Sequence, residues 1–263
     1  MAELTTLQYG LIALIFVWSG FVRSGLGFGG AVLSLPFLLL VHNEPLVFLP
    51  IISVQLLVFA SLTIARNNRA AALNAPESHG GTVNWRYLGR ILAIMIVPKI
   101  IGVLGLITLP NTIMSLIIFG IVSVYSLSYL LNRPFRSNSR ALDVVFLVLG
   151  GYISGTSLIG APLIIAVAAQ HLERHQLRDT LFALWFILVT IKMAAFIYAG
   201  VDLQLIHHTW LLPCAALGHV LGLYAHDRIL KAETPIFYRV LGGVLLTISG
   251  VGLWQSLGQH LAG

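Results

Sequence analysis

Eight apolar runs, separated by short polar segments, divide the chain. They cover 9–41, 46–65, 87–105, 111–131, 143–170, 179–200, 209–226 and 235–256. Six of these runs are close to the ~20 residues that a helix needs to cross the hydrocarbon layer of a bilayer. The pattern therefore predicts an all-α polytopic membrane protein.

The other two runs are too long for one crossing, and small residues interrupt them. The runs 9–41 and 143–170 contain 33 and 28 residues, and a helix of the greater length would extend over ~50 Å. The interruptions are the Gly/Ser/Thr-rich segments 24–30 and 154–160. We expect each long run to form a re-entrant hairpin of two short helices that enters and leaves the membrane on the same side.

The basic loop residues favour this hairpin at 143–170. Lys and Arg accumulate in the short cytoplasmic loops of membrane proteins. With a hairpin, all eleven basic loop residues lie on one side, whereas a single crossing leaves four of them on the other side. The eleven residues are Arg66, Arg69, Arg86, Arg90, Arg133, Arg136, Arg140, Arg174, Arg178, Arg228 and Lys231.

The two interruptions also repeat one another at a distance of 130 residues, with identity at Ser24 and Ser154 and at several following positions. We infer two copies of one unit, each a hairpin followed by three crossings. The first copy covers 1–131, the second 143–263, and a cytoplasmic linker at 132–142 joins them. An odd number of net crossings inverts the second copy and leaves both termini outside. Inverted repeats with broken helices are typical of secondary transporters.

Composition narrows the class of protein. The 263 residues are 58% hydrophobic and only 9% charged, whereas soluble domains carry ~25% charged residues. The formal net charge is +6, but the basic residues form no dense run with aromatics of the kind that binds nucleic acid. We therefore expect a protein of the lipid bilayer that is no enzyme, holds no cofactor and binds no nucleic acid.

The two breaks carry the chemistry expected of an anion site. In each hairpin the second helix begins at the break, and the free N–H groups and positive dipole end of a helix attract anions. We expect N-cap hydroxyls from Ser24, Ser154, Thr156 and Ser157. Glycines allow a ligand to approach the backbone; these are Gly25, Gly27, Gly29, Gly30, Gly155 and Gly160. The alternative is that the small residues only allow tight helix crossings.

The ionisable residues divide by position. All nine acidic residues lie in loops or at the ends of runs, whereas Arg23, Lys99, Lys192 and His219 lie within runs. Ionisable groups inside a membrane usually mark a functional pathway, so we expect these four to bind an anionic substrate. Other roles are open: the lysines could snorkel, Arg23 could bond the carbonyl end of the first half-helix, and His219 could be a core residue.

At these breaks the sequence resembles the TauE/SafE family of sulfite and organosulfonate exporters. The segments that carry the resemblance are 25–36 and 155–163, together with the eight-run hydropathy. The second segment departs from the usual pattern, with Ser157 and Ile159 where glycine is commoner. The resemblance implies export of a small oxyanion, sulfite or a sulfonate, by alternating access across the bacterial inner membrane. Faces of small residues would allow a homodimer.

Two other functions remain open from the sequence. A cation or metal permease could use His171, His175, His207 and His208, although these lie in loops without acidic partners inside the runs. An intramembrane serine protease could pair Ser157 with His219. However, the sequence around Ser157 lacks the Gly-x-Ser-x-Gly elbow, and Gly218 with Gly222 is typical of helix packing.

Overall fold

The computed structural model describes residues 4–26, 30–74, 83–232 and 235–262, and within these ranges the regular structure is helical throughout. Ten helices are described there. They are α1 (Thr6–Leu26), α2 (Gly30–Val41), α3 (Pro45–Asn74), α4 (Trp85–Thr108), α5 (Asn111–Leu130), α6 (Arg140–Ser157), α7 (Ala161–His171), α8 (Arg174–Tyr198), α9 (Leu205–Ala232) and α10 (Pro235–Ala262).

Six segments in the described part of the chain are long and apolar enough to span a membrane. They are Thr6–Gly25, Pro45–Arg66, Trp85–Thr108, Asn111–Leu130, Gln176–Tyr198 and Tyr238–Gly258. Five of them coincide with predicted single crossings, whereas α9, which contains the run 209–226, is not among the six. Many large apolar side chains on these helices are exposed, for example Ile100 and Ile101 on α4. Because lipid tails, unlike water, solvate such surfaces, the protein belongs in a membrane.

Each of the two long runs consists of two helices, as the sequence predicts. The run 9–41 contains α1 and α2, and the run 143–170 contains α6 and α7. The expectation of short helices is wrong for α1, because its 21 residues extend over ~32 Å, enough to cross the apolar layer. Within the first break, Gly27 and Gly29 lie outside the described residues. Re-entry of the hairpins and inversion of the repeats remain predictions.

The helices form two compact units. Unit 1 comprises Met1–Ile51, Leu106–Phe135 and Asp202–Gly263. In this unit α1 packs along α9 and against α2, and α10 packs against α5 and α2. Gly252 of α10 makes room for a ring, since a Cβ atom there would lie 2.3 Å from the ring of Phe119.

Unit 2 comprises Ile52–Gly105 and Arg136–Val201. The hairpin helices α6 and α7 pack together, and α7 also contacts α8. An apolar core joins α4, α6, α7 and α8 through side chains such as Met95, Leu147, Ile164 and Leu184. This core holds the second break among helices from different parts of the chain.

The compact units combine segments from both proposed sequence copies. In unit 1 the hairpin of the first copy packs with α9 of the second. In unit 2 the hairpin of the second copy packs with α4 of the first. The compact units are therefore defined by tertiary contacts between the two copies and do not coincide with them. The copy boundaries at 131 and 143 remain a prediction from the sequence.

Candidate functional site

The break between α6 and α7 is a tight turn with an unusual backbone conformation. Leu158 caps α6 in the left-handed region, with φ 61° and ψ 8°, where helices normally place glycine. Its N–H donates to the Ser154 carbonyl at 3.3 Å. The N-cap residue of α7 is Gly160, so no side chain at this position accepts a hydrogen bond from the first N–H groups of the helix. A proline occupies the first turn of α7. Since no side chain caps α7, its first N–H groups can bind an external acceptor.

The hydroxyls of this break do not cap α7 as predicted. Ser154, Thr156 and Ser157 all lie in α6, which ends at Ser157. Thr156 Oγ1 and Ser157 Oγ each donate to the Ile153 carbonyl at 3.0 Å. Ser and Thr can bond a carbonyl three or four residues earlier in their own helix, and this bonding is compatible with α6 continuing past Ser154. Ser24 is likewise not an N-cap, because α1 runs to Leu26.

Two lysines converge on the last turn of α6. Lys99 Nζ donates to the Ser154 carbonyl at 2.8 Å and to Ser154 Oγ at 3.0 Å. Lys192 Nζ, on α8, donates to the Thr156 carbonyl at 3.4 Å and lies 5.6 Å from the ring centre of Phe196. Both lysines are 0% exposed. Neither lysine therefore snorkels to the surface, and the structure brings together four predicted site residues: Lys99, Ser154, Thr156 and Lys192.

The partners of these lysines are backbone carbonyls. A helix C-terminus carries about −0.5 charge and a helix N-terminus about +0.5, so the end of α6 and the start of α7 nearly cancel. Asp179 is also buried in unit 2. It precedes Lys192 by 13 positions on α8, or ~20 Å along the helix, too far to pair with it. The two ammonium groups, when protonated, therefore leave this break strongly positive.

Glycines fix the distance between α4 and α6. A Cβ atom at Gly102 would lie 2.3 Å from the Tyr152 carbonyl oxygen, and one at Gly155 would lie 2.4 Å from the Lys99 carbonyl oxygen. Gly160 similarly approaches Gly150, whose carbonyl oxygen would be 2.3 Å from a Cβ atom. Such contacts require glycine on sterics alone. At Gly155 the close neighbour is the backbone of α4. This glycine therefore allows α4 and α6 to cross closely, which keeps Lys99 of α4 next to the end of α6.

The break between α1 and α2, in unit 1, contains the other predicted site residues. Ser24 Oγ and His219 Nδ1 are 2.5 Å apart. Arg23 is buried, and its Nε would lie 3.2 Å from a Cβ atom at Gly30, the first residue of α2. The Gly30 carbonyl accepts from Ser34 Oγ at 2.5 Å. A buried cation thus lies at the start of α2, and next to it along α1 a hydroxyl contacts an imidazole of α9.

Sequence reasoning missed the groups that hold the cations in place. The carbonyls of Ser154 and Thr156 bind the lysines, and Leu158 adopts the left-handed conformation without glycine. No side-chain pattern identifies a backbone acceptor, so this part had no signal. The packing role of Gly218 and Gly222 is confirmed, since Cβ atoms there would lie 1.9 Å from the Val17 carbonyl oxygen and 2.4 Å from that of Phe21.

The histidines proposed for a metal site make other contacts. His171 Nε2 lies 2.9 Å from Asp143 Oδ2, His207 Nδ1 accepts from Trp210 Nε1 at 3.2 Å, and His208 Nε2 lies 3.1 Å from the Leu203 carbonyl oxygen. The side chain of His175 lies outside the described residues. Among the side chains that are described, no group of three or more His, Cys, Asp or Glu could hold a metal ion.

The contacts also do not favour the protease pair. Ser157 Oγ donates to the Ile153 carbonyl of its own helix, whereas the hydroxyl next to His219 belongs to Ser24. Within the described part of the chain, Ser157 therefore contacts no base that could activate it. The hydroxyl–imidazole pair that the sequence proposed, Ser157 with His219, is therefore not formed.

Comparison with known proteins identifies the family of this chain. A family model described as "Sulfite exporter TauE/SafE" matches residues 12–253, which include both breaks and all four ionisable residues discussed above. No curated protein and no solved structure matches the chain significantly.

Proposed function

Because the chain belongs to the TauE/SafE family of sulfite exporters, we propose that it exports a small oxyanion, sulfite or an organosulfonate, across the bacterial inner membrane. The proposed path leads from the cytoplasm outward, with both chain termini on the outer side. The observation that supports an anionic substrate is the burial of the basic side chains of Lys99 and Lys192 at the α6–α7 break.

The anion is held where the start of α7 meets these lysines. The backbone carbonyls at the end of α6 compensate only part of the positive charge of the two lysines, and the charge of the anion compensates the rest. Buried charges are costly unless they are paired, so an anion is most stable at this position. A doubly charged oxyanion such as sulfite matches two ammonium groups, and a singly charged sulfonate matches one.

Ser154 supplies a directed hydrogen bond to the anion. Its Oγ accepts from Lys99, and a serine hydroxyl that accepts a hydrogen bond still has its own hydrogen to donate. Thr156 and Ser157 differ, because both donate to the Ile153 carbonyl. We therefore assign the direct contact to Ser154 and a structural role to the other two hydroxyls.

Transport follows an alternating-access cycle in this proposal. The anion exchanges its water shell for the N–H groups of α7, the Ser154 hydroxyl and the lysines, and access then changes from one side of the membrane to the other. The anion must bind weakly enough to be released. Lysines whose positive charge is already partly compensated by backbone carbonyls meet this requirement better than uncompensated lysines.

Efflux from proteoliposomes loaded with sulfite tests this site. Lys192→Met removes one buried charge with little change in volume, and Ser154→Ala removes the directed hydroxyl. Hydrogen bonds to charged groups contribute ~1.5–3 kcal/mol, so we expect efflux to fall ~10- to 100-fold in Lys192→Met. Ser154→Ala removes one hydrogen bond to the same charged anion and should lower efflux by a similar factor, ~10- to 100-fold.

Arg136→Gln is the matched control, since it removes one positive charge at an exposed position and should leave efflux unchanged. Size-exclusion profiles establish that each variant is folded. Wild-type efflux in both Lys192→Met and Ser154→Ala would refute the anion site, and equal losses in Arg136→Gln would show that net charge alone is responsible.

A further inference from the structure

Helix α8 carries two cations, each next to a phenylalanine ring four residues further along the helix. Arg178 Cζ lies 5.7 Å from the ring centre of Phe182, and Lys192 Nζ lies 5.6 Å from that of Phe196. The two cations are 14 positions apart, which leaves them ~40° apart around the helix and ~21 Å apart along it. One face of α8 therefore carries a cation near the start of the helix and another at the α6–α7 break.

The face of α8 between these two pairs is buried. Phe182, Val189 and Phe196 are almost fully enclosed, and Trp185 packs against the apolar core of unit 2. Arg178 is half-buried at the end of this face. The proposed function uses only the cation at the other end of the face and leaves Arg178 without a role.

The guanidinium of Arg178 has no carboxylate partner in the described part of the chain. Its Nε is buried, and no described residue accepts a hydrogen bond from it. Asp179 attracts this guanidinium, but the two side chains do not form an ion pair, and Asp179 makes another contact. Because a buried donor without an acceptor is destabilising, an anion at Arg178 is favourable.

A second guanidinium, that of Arg66, lies close enough to Arg178 for the two charges to repel each other. Arg66 ends the apolar segment of α3 and is exposed, and none of the described carboxylates pairs with it. An anion between two such groups replaces their repulsion by attraction. The preference of arginine for cytoplasmic loops explains the side of the membrane on which both lie, but it does not require them to be neighbours.

Hydrogen bonds to α4 fix the orientation of this end of α8 within unit 2. The backbone nitrogen of Asn84 donates to Thr180 Oγ1 at 2.9 Å, and Asn84 Nδ2 donates to Gln176 Oε1 at 3.3 Å. Gln176 and Thr180 each lie two positions from Arg178, on roughly the opposite side of the helix. The start of α4 therefore holds one side of α8 and leaves Arg178 on the other side, near Arg66.

We propose that Arg66 and Arg178 form an entry site, which binds the oxyanion before it reaches the α6–α7 break. Guanidinium groups present N–H donors in a planar fork that fits the oxygens of such an anion. The contact with Phe182 holds Arg178 in place, and Lys192 receives the anion at the other end of the same helix face. This inference rests on the proposed function and adds to it a first binding step on the side that the sequence places in the cytoplasm.

The concentration dependence of transport tests this entry site. In everted membrane vesicles the cytoplasmic side faces the medium, so uptake of labelled sulfite measures entry from this side. Arg178→Gln and Arg66→Gln should each raise KM about 5-fold, the upper range for an exposed ion pair. The kcat should change less than ~2-fold, because the α6–α7 break is intact and the lost interaction does not depend on the later steps.

The ionic strength of the medium separates an electrostatic role from a structural one. Higher salt should raise the wild-type KM and should have less effect on the KM of Arg66→Gln, because a screened charge and a deleted charge are equivalent. Arg178→Lys keeps the charge and should remain within ~2-fold of the wild-type KM. Arg136→Gln removes an exposed charge of the same unit and should leave KM unchanged. A wild-type KM in both Arg66→Gln and Arg178→Gln, or an equal rise in Arg136→Gln, would overturn the proposal.

The phosphate of a lipid headgroup has the same chemistry as a free oxyanion, and vesicle composition separates these two sources. In proteoliposomes of phosphatidylcholine alone, Arg66→Gln and Arg178→Gln should raise KM as much as in proteoliposomes that also contain phosphatidylglycerol. A rise that is confined to the phosphatidylglycerol vesicles would assign the two arginines to lipid and overturn the entry site.

The outcomes also distinguish the entry site from the proposed function. If both arginine variants keep the wild-type KM while Lys192→Met loses transport, the entry site fails and the α6–α7 site stands. If Lys192→Met transports sulfite normally, the proposed function fails, and the transfer of the anion from Arg178 to Lys192 fails with it.

Discussion

The breaks in units 1 and 2 share a scaffold and differ in their chemistry. In each unit a glycine-rich crossing brings one long helix onto the end of a hairpin helix, and a serine on that end contacts a basic side chain. The scaffold consists of backbone contacts that exclude any Cβ atom. The basic side chain is not part of those contacts, so it can be lysine in one unit and histidine in the other without a change in the crossing.

The difference shows that one arrangement of helices can hold two kinds of basic side chain next to a serine. Lys99 and Lys192 provide charge that is partly compensated by the carbonyls of α6. At the other break Arg23 lies beside the start of α2 and His219 contacts Ser24. In the proposed function, we therefore expect anion binding at the α6–α7 break to depend on the two lysine charges and on the Ser154 hydroxyl.

The largest expected effect concerns the shared scaffold. Gly102→Ala in α4 and Gly20→Ala in α1 place a Cβ atom against backbone atoms of the neighbouring helix, and overpacking costs ~1–3 kcal/mol. We expect the thermal midpoint to fall by ~2–10 °C in each variant. Size exclusion after heating of the detergent-solubilised protein measures the midpoint.

The same helices provide the controls for this prediction. A Cβ atom at Gly89 in α4 or at Gly10 in α1 has no neighbour within 4 Å, so alanine there should stabilise its helix by up to ~1 kcal/mol. A fall in only one of the two crossing variants would show that the breaks do not share a scaffold.

The second prediction converts the cation of unit 2 into that of unit 1. Lys99→His retains a positive charge only while the imidazole is protonated. The charge is therefore present below pH ~6.5 and is lost as the pH rises above that value. At pH 7.5 about one tenth of an ordinary histidine is charged. We expect the ratio of variant to wild-type sulfite efflux to fall ~5- to 10-fold between pH 5.5 and 7.5.

Sulfite titrates in this range, but it does so equally in both assays, and the ratio removes that contribution. Lys99→Arg keeps a fixed charge and serves as the control, with a ratio that does not change with pH. A constant ratio for Lys99→His would contradict a direct role of the Lys99 charge.

The smallest expected effect separates the hydroxyls of one break. Ser157→Ala removes a hydroxyl that donates to the Ile153 carbonyl within α6. Because this bond contributes to folding stability, by ~1 kcal/mol or less, and does not contact the anion in the proposal, we expect sulfite efflux to change less than ~2-fold. Ser154→Ala is the comparison. Complete loss of efflux in Ser157→Ala would restore Ser157 as a functional residue and call for labelling with a serine-reactive probe.

Hydropathy predicted much of the fold because a membrane helix satisfies its own backbone hydrogen bonds. For this reason the apolar runs correspond closely to α4, α5 and α8, whereas α3 continues past the end of its run at 65 to Asn74. The extent of the hairpin helices was harder to predict, since Ser and Thr are typical both of N-caps and of bonds to a preceding carbonyl in a helix. At Thr156 and Ser157 the second role prevailed.

The candidate site was predicted in its side chains but not in its contacts. Lys99, Lys192 and His219 were identified because ionisable groups are rare within apolar runs. The acceptors of the lysines are the carbonyls of Ser154 and Thr156, which every residue type provides. The contact of Ser24 with His219, 195 positions apart, likewise has no local signal.

By itself the sequence determined that this is a helical membrane protein of the sulfite exporter family, with two interrupted runs and a few basic residues inside apolar segments. These properties follow from composition and from periods of a few residues, which act locally along the chain. Only the tertiary structure decided which cation meets which break, because that pairing depends on glycine contacts between helices far apart in sequence. The same contacts decided that α4 serves one hairpin and α9 the other.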